Sequence, residues 1–260
     1  MTKKTKTTKT IEYVEIKSNE KIQHNIYKMK LISEEVSRIA QPGQFIMIYL
    51  DNGINLLPRP ISICDIEDEE ITIIYHTIGN GTRQLSMMPE GEELRILGPL
   101  GNGFNVIEQT KNALLVGGGI GTPPMYYLAK ELQKIGVEEI TVALGFRKRT
   151  LLVDEFKAIK NTKVHIATDL GTAGYHGNIV EFLREKNANY LKAYACGPLP
   201  MLSSLSAFAK EIDMPLEVSL EEHMACGVGT CFACVTKKHD GTLEKICTAG
   251  PVFNHKEVAL

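Results

Sequence analysis

Short β-branched runs separated by turn-forming residues fill the first part of the chain: IEYVEI (11–16), IYKMKLI (26–32), QFIMIYL (44–50), PISIC (60–64), ITIIYHTI (71–78) and ELRIL (93–97). Runs of this length and spacing predict an antiparallel barrel or sandwich. Pro42-Gly43 and Asp51-Asn52-Gly53 read as turns. Gly98-Pro99-Leu100-Gly101-Asn102-Gly103 reads as a breaker that ends this unit near residue 106.

The period then changes. Ala113-Leu114-Leu115-Val116 enters a glycine loop, and Pro123 to Ile135 carries helical spacing, with proline in the first turn and Gly136 just past the end. Strand and helix then alternate: EEITVALGF (138–146) with DEFKAI (154–159), KVHIAT (163–168) with NIVEFLREK (178–186), and LKAYAC (191–196) with PMLSSLSAFAKEI (200–212). This alternation predicts a doubly wound parallel sheet with its ligand crevice at the carboxyl ends of the strands. From Leu216 onward the chain is rich in glycine and cysteine and too short to build much core without a metal. The chain therefore reads as multidomain: a disordered Lys/Thr leader (1–10), an antiparallel β-barrel (11–106), an α/β domain (107–215) and a small cysteine segment (216–260).

Composition narrows the partners. Twenty-nine basic against 31 acidic residues leave a net charge of −2, so no basic field exists to hold nucleic acid. Met1 to Thr10 lacks the apolar stretch of a secretory signal, and no run approaches the ~20 apolar residues that span a bilayer. The expectation is a cytoplasmic protein without a membrane partner. In that compartment its six cysteines stay reduced and point to metal or redox chemistry ahead of disulfides.

Four of them are clustered. Cys226, Cys231, Cys234 and Cys247 give the spacing C-x4-C-x2-C…C, the plant-type [2Fe-2S] pattern. Gly227 and Gly229 let backbone N–H groups approach bridging sulfides, and Ala225, Thr230 and Ala233 leave the loop uncrowded. The alternative is a four-cysteine structural zinc, which usually shows two C-x2-C pairs. A [2Fe-2S] centre takes one electron at a time, so the chain should also carry a two-electron cofactor.

Arg59-Pro60-Ile61-Ser62 leaves a turn and enters a strand. The planar fork of Arg59 suits a pyrophosphate, and Ser62, on the same strand face as Pro60, can meet a flavin ring edge; the alternative is an exposed arginine at a strand start. Ile74-Tyr75-His76 runs into the glycine turn Gly79-Asn80-Gly81-Thr82, whose N–H groups and Thr82 hydroxyl suit phosphate. Tyr75 or His76 either lines the flavin or is a half-buried strand residue. Together the two elements point to FAD.

Gly117-Gly118-Gly119-Ile120-Gly121-Thr122 lies between strand and helix, where a dinucleotide pyrophosphate is expected. Thr122 replaces the last glycine of G-x-G-x-x-G, and Arg147-Lys148-Arg149 stands where an acid would hold the ribose. The choice between NADH and NADPH stays open. Cys196, at the end of the last alternating strand, either adjoins the nicotinamide or is a small buried residue; Cys64 reads as core.

RPIS (59–62), IYH with GNGT (74–82), LGPLGNGF (97–104), LLVGGGIGTPPMY (114–126), ACGPLPML (195–202), CGVGTCFACV (226–235) and GPVF (250–253) resemble, in order, the electron-transfer subunits of class 1B dihydroorotate dehydrogenases, within the ferredoxin–NADP reductase superfamily. The resemblance implies FAD on Arg59, Pro60, Ile61, Ser62, Ile74, Tyr75, His76, Gly81 and Thr82, with a [2Fe-2S] cluster on the four C-terminal cysteines. It also implies NAD as an exchangeable substrate and, as partner, the FMN-bearing catalytic subunit that oxidises dihydroorotate in pyrimidine biosynthesis, two copies of each in a heterotetramer. The partner would dock over the cluster side near Met224 and Phe232, although core packing is the simpler role for Phe232. No acid, base or nucleophile set for a carbon substrate is evident. Two other readings remain: a reductase subunit serving a hydrogenase, a sulfide dehydrogenase or a ferredoxin, and a non-enzymatic binding protein stapled by zinc.

Overall fold

The six β-branched runs become six strands that close on themselves. In the computed structural model, which describes residues 9–50, 53, 56–106, 111–186 and 190–260, these are β1 (Thr10–Gln23), β2 (Ile26–Ile32), β3 (Phe45–Tyr49), β4 (Arg59–Glu67), β5 (Glu70–His76) and β6 (Glu93–Leu100). They are ordered β1-β2-β5-β4-β3-β6, and β6 pairs antiparallel with β1. Period-two alternation turns Val14, Ile16, Met29, Leu31, Ile46 and Ile48 inward, essentially without exposure. Each such side chain contributes roughly 1.5–3 kcal/mol by leaving water.

Three local features depart from the expectation. Thr10, assigned to the leader, already pairs with Gly98, and β1 runs on past Ile16 to Gln23. That extension, KSNEKIQ, pairs with β2, which pairs with β5 on its other side; the residue it turns inward is the polar Asn19, whose side-chain amide donates to Leu85 O and Met88 O, so it shows no apolar alternation. Gly98-Pro99-Leu100 belongs to β6, so only the glycines beyond it break the strand. Two short helices also interrupt the barrel: α1 (Glu34–Ile39), capped by Ser33, whose hydroxyl accepts from Val36 N at 3.3 Å, and α2 (Asn80–Leu85). Leader residues 1–8, the turn residues Asp51 and Asn52, and residues 107–110 beside the expected boundary lie outside the described residues.

The second half is the expected parallel sheet: β7 (Asn112–Gly118), α3 (Thr122–Lys134), β8 (Glu139–Phe146), α4 (Val153–Ala158), β9 (Thr162–Thr168), β10 (Tyr175–His176), α5 (Ile179–Lys186), β11 (Lys192–Cys196), α6 (Leu199–Glu211) and β12 (Leu216–Ser219). Gly136 follows α3 with φ +85°, a conformation that L residues avoid. Helices cover both faces, α3 and α4 in one apolar cluster and α5 and α6 in the other. The sheet order is β10-β9-β8-β7-β11-β12, with a last strand β15 (Val252–Asn254) antiparallel to β12. Winding reverses between β7 and β11, and that is where a doubly wound sheet opens its crevice.

The cysteine segment therefore leaves the sheet after Ser219 and rejoins it at Val252, carrying a small hairpin of β13 (Val235–Lys237) and β14 (Leu243–Lys245). Asn102 anchors it: its backbone N–H donates to Gly250 O at 2.6 Å and its side chain to Ala249 O at 2.7 Å.

Candidate cofactor sites

The two sequence elements expected to hold a flavin meet in space. Arg59 opens β4, and Gly81 lies in the first turn of α2; a β-carbon at Gly81 would overlap the Arg59 guanidinium. Only glycine lets the helix start close against that cation. The Thr82 hydroxyl accepts from the N–H groups of Ile78 and Gly79 at 3.1 and 3.2 Å, so it shapes the turn instead of standing free. The N–H groups at the start of α2 have no intrahelical acceptor.

Along β4, Ile61 packs into the barrel core while Pro60 and Ser62 take the opposite face, half-buried. On β5, Ile74 joins the apolar cluster between barrel and sheet, and His76 is exposed at the strand end. Tyr75 faces inward: its ring stacks on Tyr27 at 5.9 Å and its hydroxyl donates to Asn19 Oδ1 at 2.9 Å. Its side chain thus belongs to the barrel interior, and only its backbone is available to a ligand.

On the sheet side, the glycine loop and the Cys196-Gly197-Pro198 loop interlock at the switch point. Cys196 pairs with Gly117. A β-carbon would stand 2.5 Å from Cys196 O at Gly121, 2.6 Å from Met201 Sδ at Gly118, and 2.9 Å from Gly118 Cα at Gly197. The bare backbone lets the two loops meet closely, and the single turn Gly119–Gly121 abuts β5 of the barrel. Burial, with the Glu221 charge, pushes the Cys196 thiol up to about 12 despite its bond to Ser219, so it stays neutral. Thr122, in the place of the last glycine, is fully buried beside Gly117. Arg147, Lys148 and Arg149 are exposed at the end of β8. Cys64 is core, as expected, within the cluster between barrel and sheet.

The four clustered cysteines stand in two pairs. Cys226 interacts with Cys231, and Cys247 with Cys234, while Cys226 and Cys247 sense each other's charge. Two pairs of thiols are the donor set that two irons would take, one pair each. Backbone N–H groups already face sulfur: Val228 N lies 3.4 Å from Cys226 Sγ, and Cys247 N 3.5 Å from Cys234 Sγ. Burial opposes ionisation of Cys226, but the Thr230 hydroxyl and the N–H groups of Val228 and Cys231 outweigh it and bring the thiol down to about 5. Burial pushes Cys247 up to about 12, with Cys234 adding to the rise. Gly227, at φ +68°, lies on the barrel, where its β-carbon would meet Leu100 and Met47 at 3.0 Å.

Phe232 does not pack in the core. It is 63% exposed between Cys231 and Cys234, with Lys245 Nζ 4.4 Å from its ring. Met224 packs against the core in part. The residues missed by sequence reasoning are those that join units, chiefly Asn102, Met201 and Lys130. The signal for Lys130 was a cation directly after the buried stripe Tyr127-Leu128-Ala129.

A closed flavin-type barrel followed by a parallel sheet with a glycine loop at its switch point defines a reductase of the ferredoxin–NADP reductase class. A ferredoxin NADP+ reductase from Neisseria gonorrhoeae with bound FAD and NADP shares the fold at TM-score 0.65 and 13% identity, over 86% of this chain and 95% of that one. The NADH-dependent reduced ferredoxin–NADP oxidoreductase, solved in a study of flavin-based electron bifurcation, matches at TM-score 0.85 and 31% identity, over 95% and 90%. Residues 221–259 match the family described as the iron–sulfur cluster binding domain of dihydroorotate dehydrogenase B. The electron transfer subunit of dihydroorotate dehydrogenase B (NAD+) from Bacillus pumilus is 42% identical, over 95% of this chain and 98% of that one, and its counterpart from Fusobacterium nucleatum is 40% identical, over 96% and 99%. The chain belongs to the family of dihydroorotate dehydrogenase B (NAD+) electron transfer subunits.

Proposed function

We propose that the chain carries electrons from the FMN of a dihydroorotate-oxidising catalytic subunit, through a [2Fe-2S] cluster and FAD, to NAD+ in pyrimidine biosynthesis. The observation that supports this most strongly is that the barrel touches both other sites: the cysteine loop at Met47 and Leu100, and the glycine loop at β5. FAD, when bound, converts two-electron exchange with NAD(H) into one-electron exchange with the cluster.

The rest is done by the chain. Arg59, held against Gly81, offers a bidentate cation to a pyrophosphate, while Pro60, Ile61 and Ser62 on β4 and the backbone of Ile74, Tyr75 and His76 on β5 line the flavin edge. Gly81 and Thr82 present first-turn N–H groups to phosphate. The glycine loop, with the neutral Cys196 thiol beside it, offers the nicotinamide a place against β5. Cys226, Cys231, Cys234 and Cys247 hold the cluster, with N–H groups aimed at sulfur to tune its potential.

The partner docks over the exposed cluster side, in a heterotetramer with two copies of each subunit. No helix among the described residues is long and apolar enough to cross a membrane, and a cytoplasmic location, where thiols stay reduced, suits four ligand cysteines.

Mixing the purified chain with a dihydroorotate dehydrogenase B catalytic subunit should yield dihydroorotate-dependent NAD+ reduction that neither chain shows alone. Absorption should show flavin bands over a broad iron–sulfur envelope. A colourless protein with one zinc per chain would overturn the proposal, and no gain on mixing would overturn the partner. The 31% likeness to the ferredoxin-linked oxidoreductase favours a second reading, service to a ferredoxin, which predicts activity with reduced ferredoxin in place of dihydroorotate.

A further inference from the structure

The barrel and the sheet are joined by a charged crossbar. Lys130 of α3 places its Nζ 2.7 Å from the Asp65 carboxylate and 3.3 Å from Glu67, both on β4. The pair is largely withdrawn from water, with the side chains of Lys130 and Asp65 only 20% and 10% exposed. Asp65 reaches α3 because the β4–β5 register slips between Ile63 and Asp65. Strict alternation would have turned Asp65 into the barrel, and the extra residue, Cys64, re-aims it.

Each partner shares an element with a cofactor motif. Lys130 stands eight residues after Thr122, so the crossbar meets α3 about 12 Å from the glycine loop at 1.5 Å per residue. Asp65 stands three residues after Ser62, about 10 Å along β4. Around the crossbar, Tyr127 donates to Ala40 O at 3.0 Å, Cys64 shares an apolar cluster with Met125, Leu128 and Ala129, and Glu67, the outer carboxylate, also meets Lys30 at 3.8 Å. Apolar packing holds the two units together but tolerates sliding, whereas an ion pair shielded from water has one preferred geometry.

We propose that the Lys130–Asp65 pair is a positioning device that sets the glycine loop against the β4 flavin strand, fixing the approach of nicotinamide to flavin. This rests on the reading that FAD lies along β4 and that NAD(H) lies at the glycine loop. Losing the pair leaves both binding motifs intact and loosens only their relative placement, to which hydride transfer is acutely sensitive.

The test follows flavin bleaching after the FAD-loaded chain is mixed with NADH in a stopped-flow instrument. Lys130→Met should lower the limiting rate at saturating NADH about tenfold, with NADH affinity and FAD per chain within about twofold of wild type. Lys130→Arg should restore most of the rate. Because Lys130→Met strands a buried carboxylate, the neutral combination Asp65→Asn with Lys130→Met is measured in parallel and should show the same slowing in a folded chain. Equal limiting rates in wild type and the neutral combination would overturn the proposal, as would slowing matched by equal loss of bound FAD. If NADH fails to bleach the wild-type flavin, the cofactor reading itself falls and takes the crossbar with it.

Discussion

The groove between barrel and sheet and the cysteine loop are built on opposite principles. The groove lies between two well-packed cores: glycine loops line its sheet side, and on the barrel side Arg59 lies against the start of a neighbouring helix. The loop over residues 221–233 has almost no core of its own, with Cys231, Phe232 and Ala233 exposed, and it borrows order from the barrel through Gly227, while Asn102 holds the other end of the segment at Ala249. A site made by packing persists without its ligand. A loop that packs on borrowed surfaces needs its metal to become rigid, which suits a centre that must remain near the surface to meet a partner.

The largest expected effect breaks the loop alone. Cys231→Ser should cut partner-dependent NAD+ reduction by more than about a hundredfold while leaving NADH oxidation with an artificial acceptor within about twofold. Equal loss of both, measured in the same preparation, would show that the cluster also holds the groove together.

Next in size is the anchor where the segment rejoins the sheet. His255 is buried, with Nδ1 2.9 Å from Ser206 Oγ, and burial together with Lys210, Lys256 and His239 brings it down to about 4. An unfolded chain binds this proton at about pH 6.5, so the fold keeps its full benefit above that value and loses it as pH falls toward 4. The loss is on the order of 2 kcal/mol. Urea midpoints at pH 7.5 and 4.5 should differ clearly in wild type and by much less in His255→Gln; an unchanged difference would remove His255 from the account.

Gly81→Ala probes the groove. Its β-carbon displaces the Arg59 guanidinium, and losing a charge-assisted contact of roughly 1.5–3 kcal/mol should weaken FAD about tenfold to hundredfold, read by flavin fluorescence titration. Unchanged affinity would mean that Arg59 takes no part. The smallest effect is expected from Tyr75→Phe, which removes the bond to Asn19 inside the barrel: thermal unfolding should register about 1 kcal/mol of lost stability, and the flavin spectrum should not move. A shifted spectrum would place the Tyr75 ring at the flavin after all.

Much of this was legible in the chain. Short β-branched runs separated by turns from Ile11 to Leu97 mark the barrel, although β3 and β5 are buried on both faces where the rest of the chain packs on them. The βα repeats mark the sheet, and the cysteine spacing marks the two-iron site because thiolate geometry tolerates few other loops. What stayed hidden has a common cause. The end of β1, Lys17–Gln23, turns the polar Asn19 toward Tyr75 and so leaves no apolar pattern. Tyr75 and His76 are adjacent in sequence, yet alternation sends one ring into the core and the other side chain into solvent. Phe232 reads as core by residue type, but it sits at a positive φ in the exposed loop between Cys231 and Cys234 and stays outside.

The units and their chemistry are readable along the chain: a barrel, a parallel sheet, a four-cysteine loop, and the motifs that suit FAD and NAD(H). These follow from local period and spacing, which any window of the chain displays. Only the tertiary structure decided how the units meet: that Gly81 seats Arg59, that Gly118 and Met201 interlock at the switch point, that Gly227 rests on Met47 and Leu100, and that Lys130 crosses to Asp65. Each joins residues distant in sequence through close packing or an ion pair, and such contacts depend on angles and distances that periodicity does not encode.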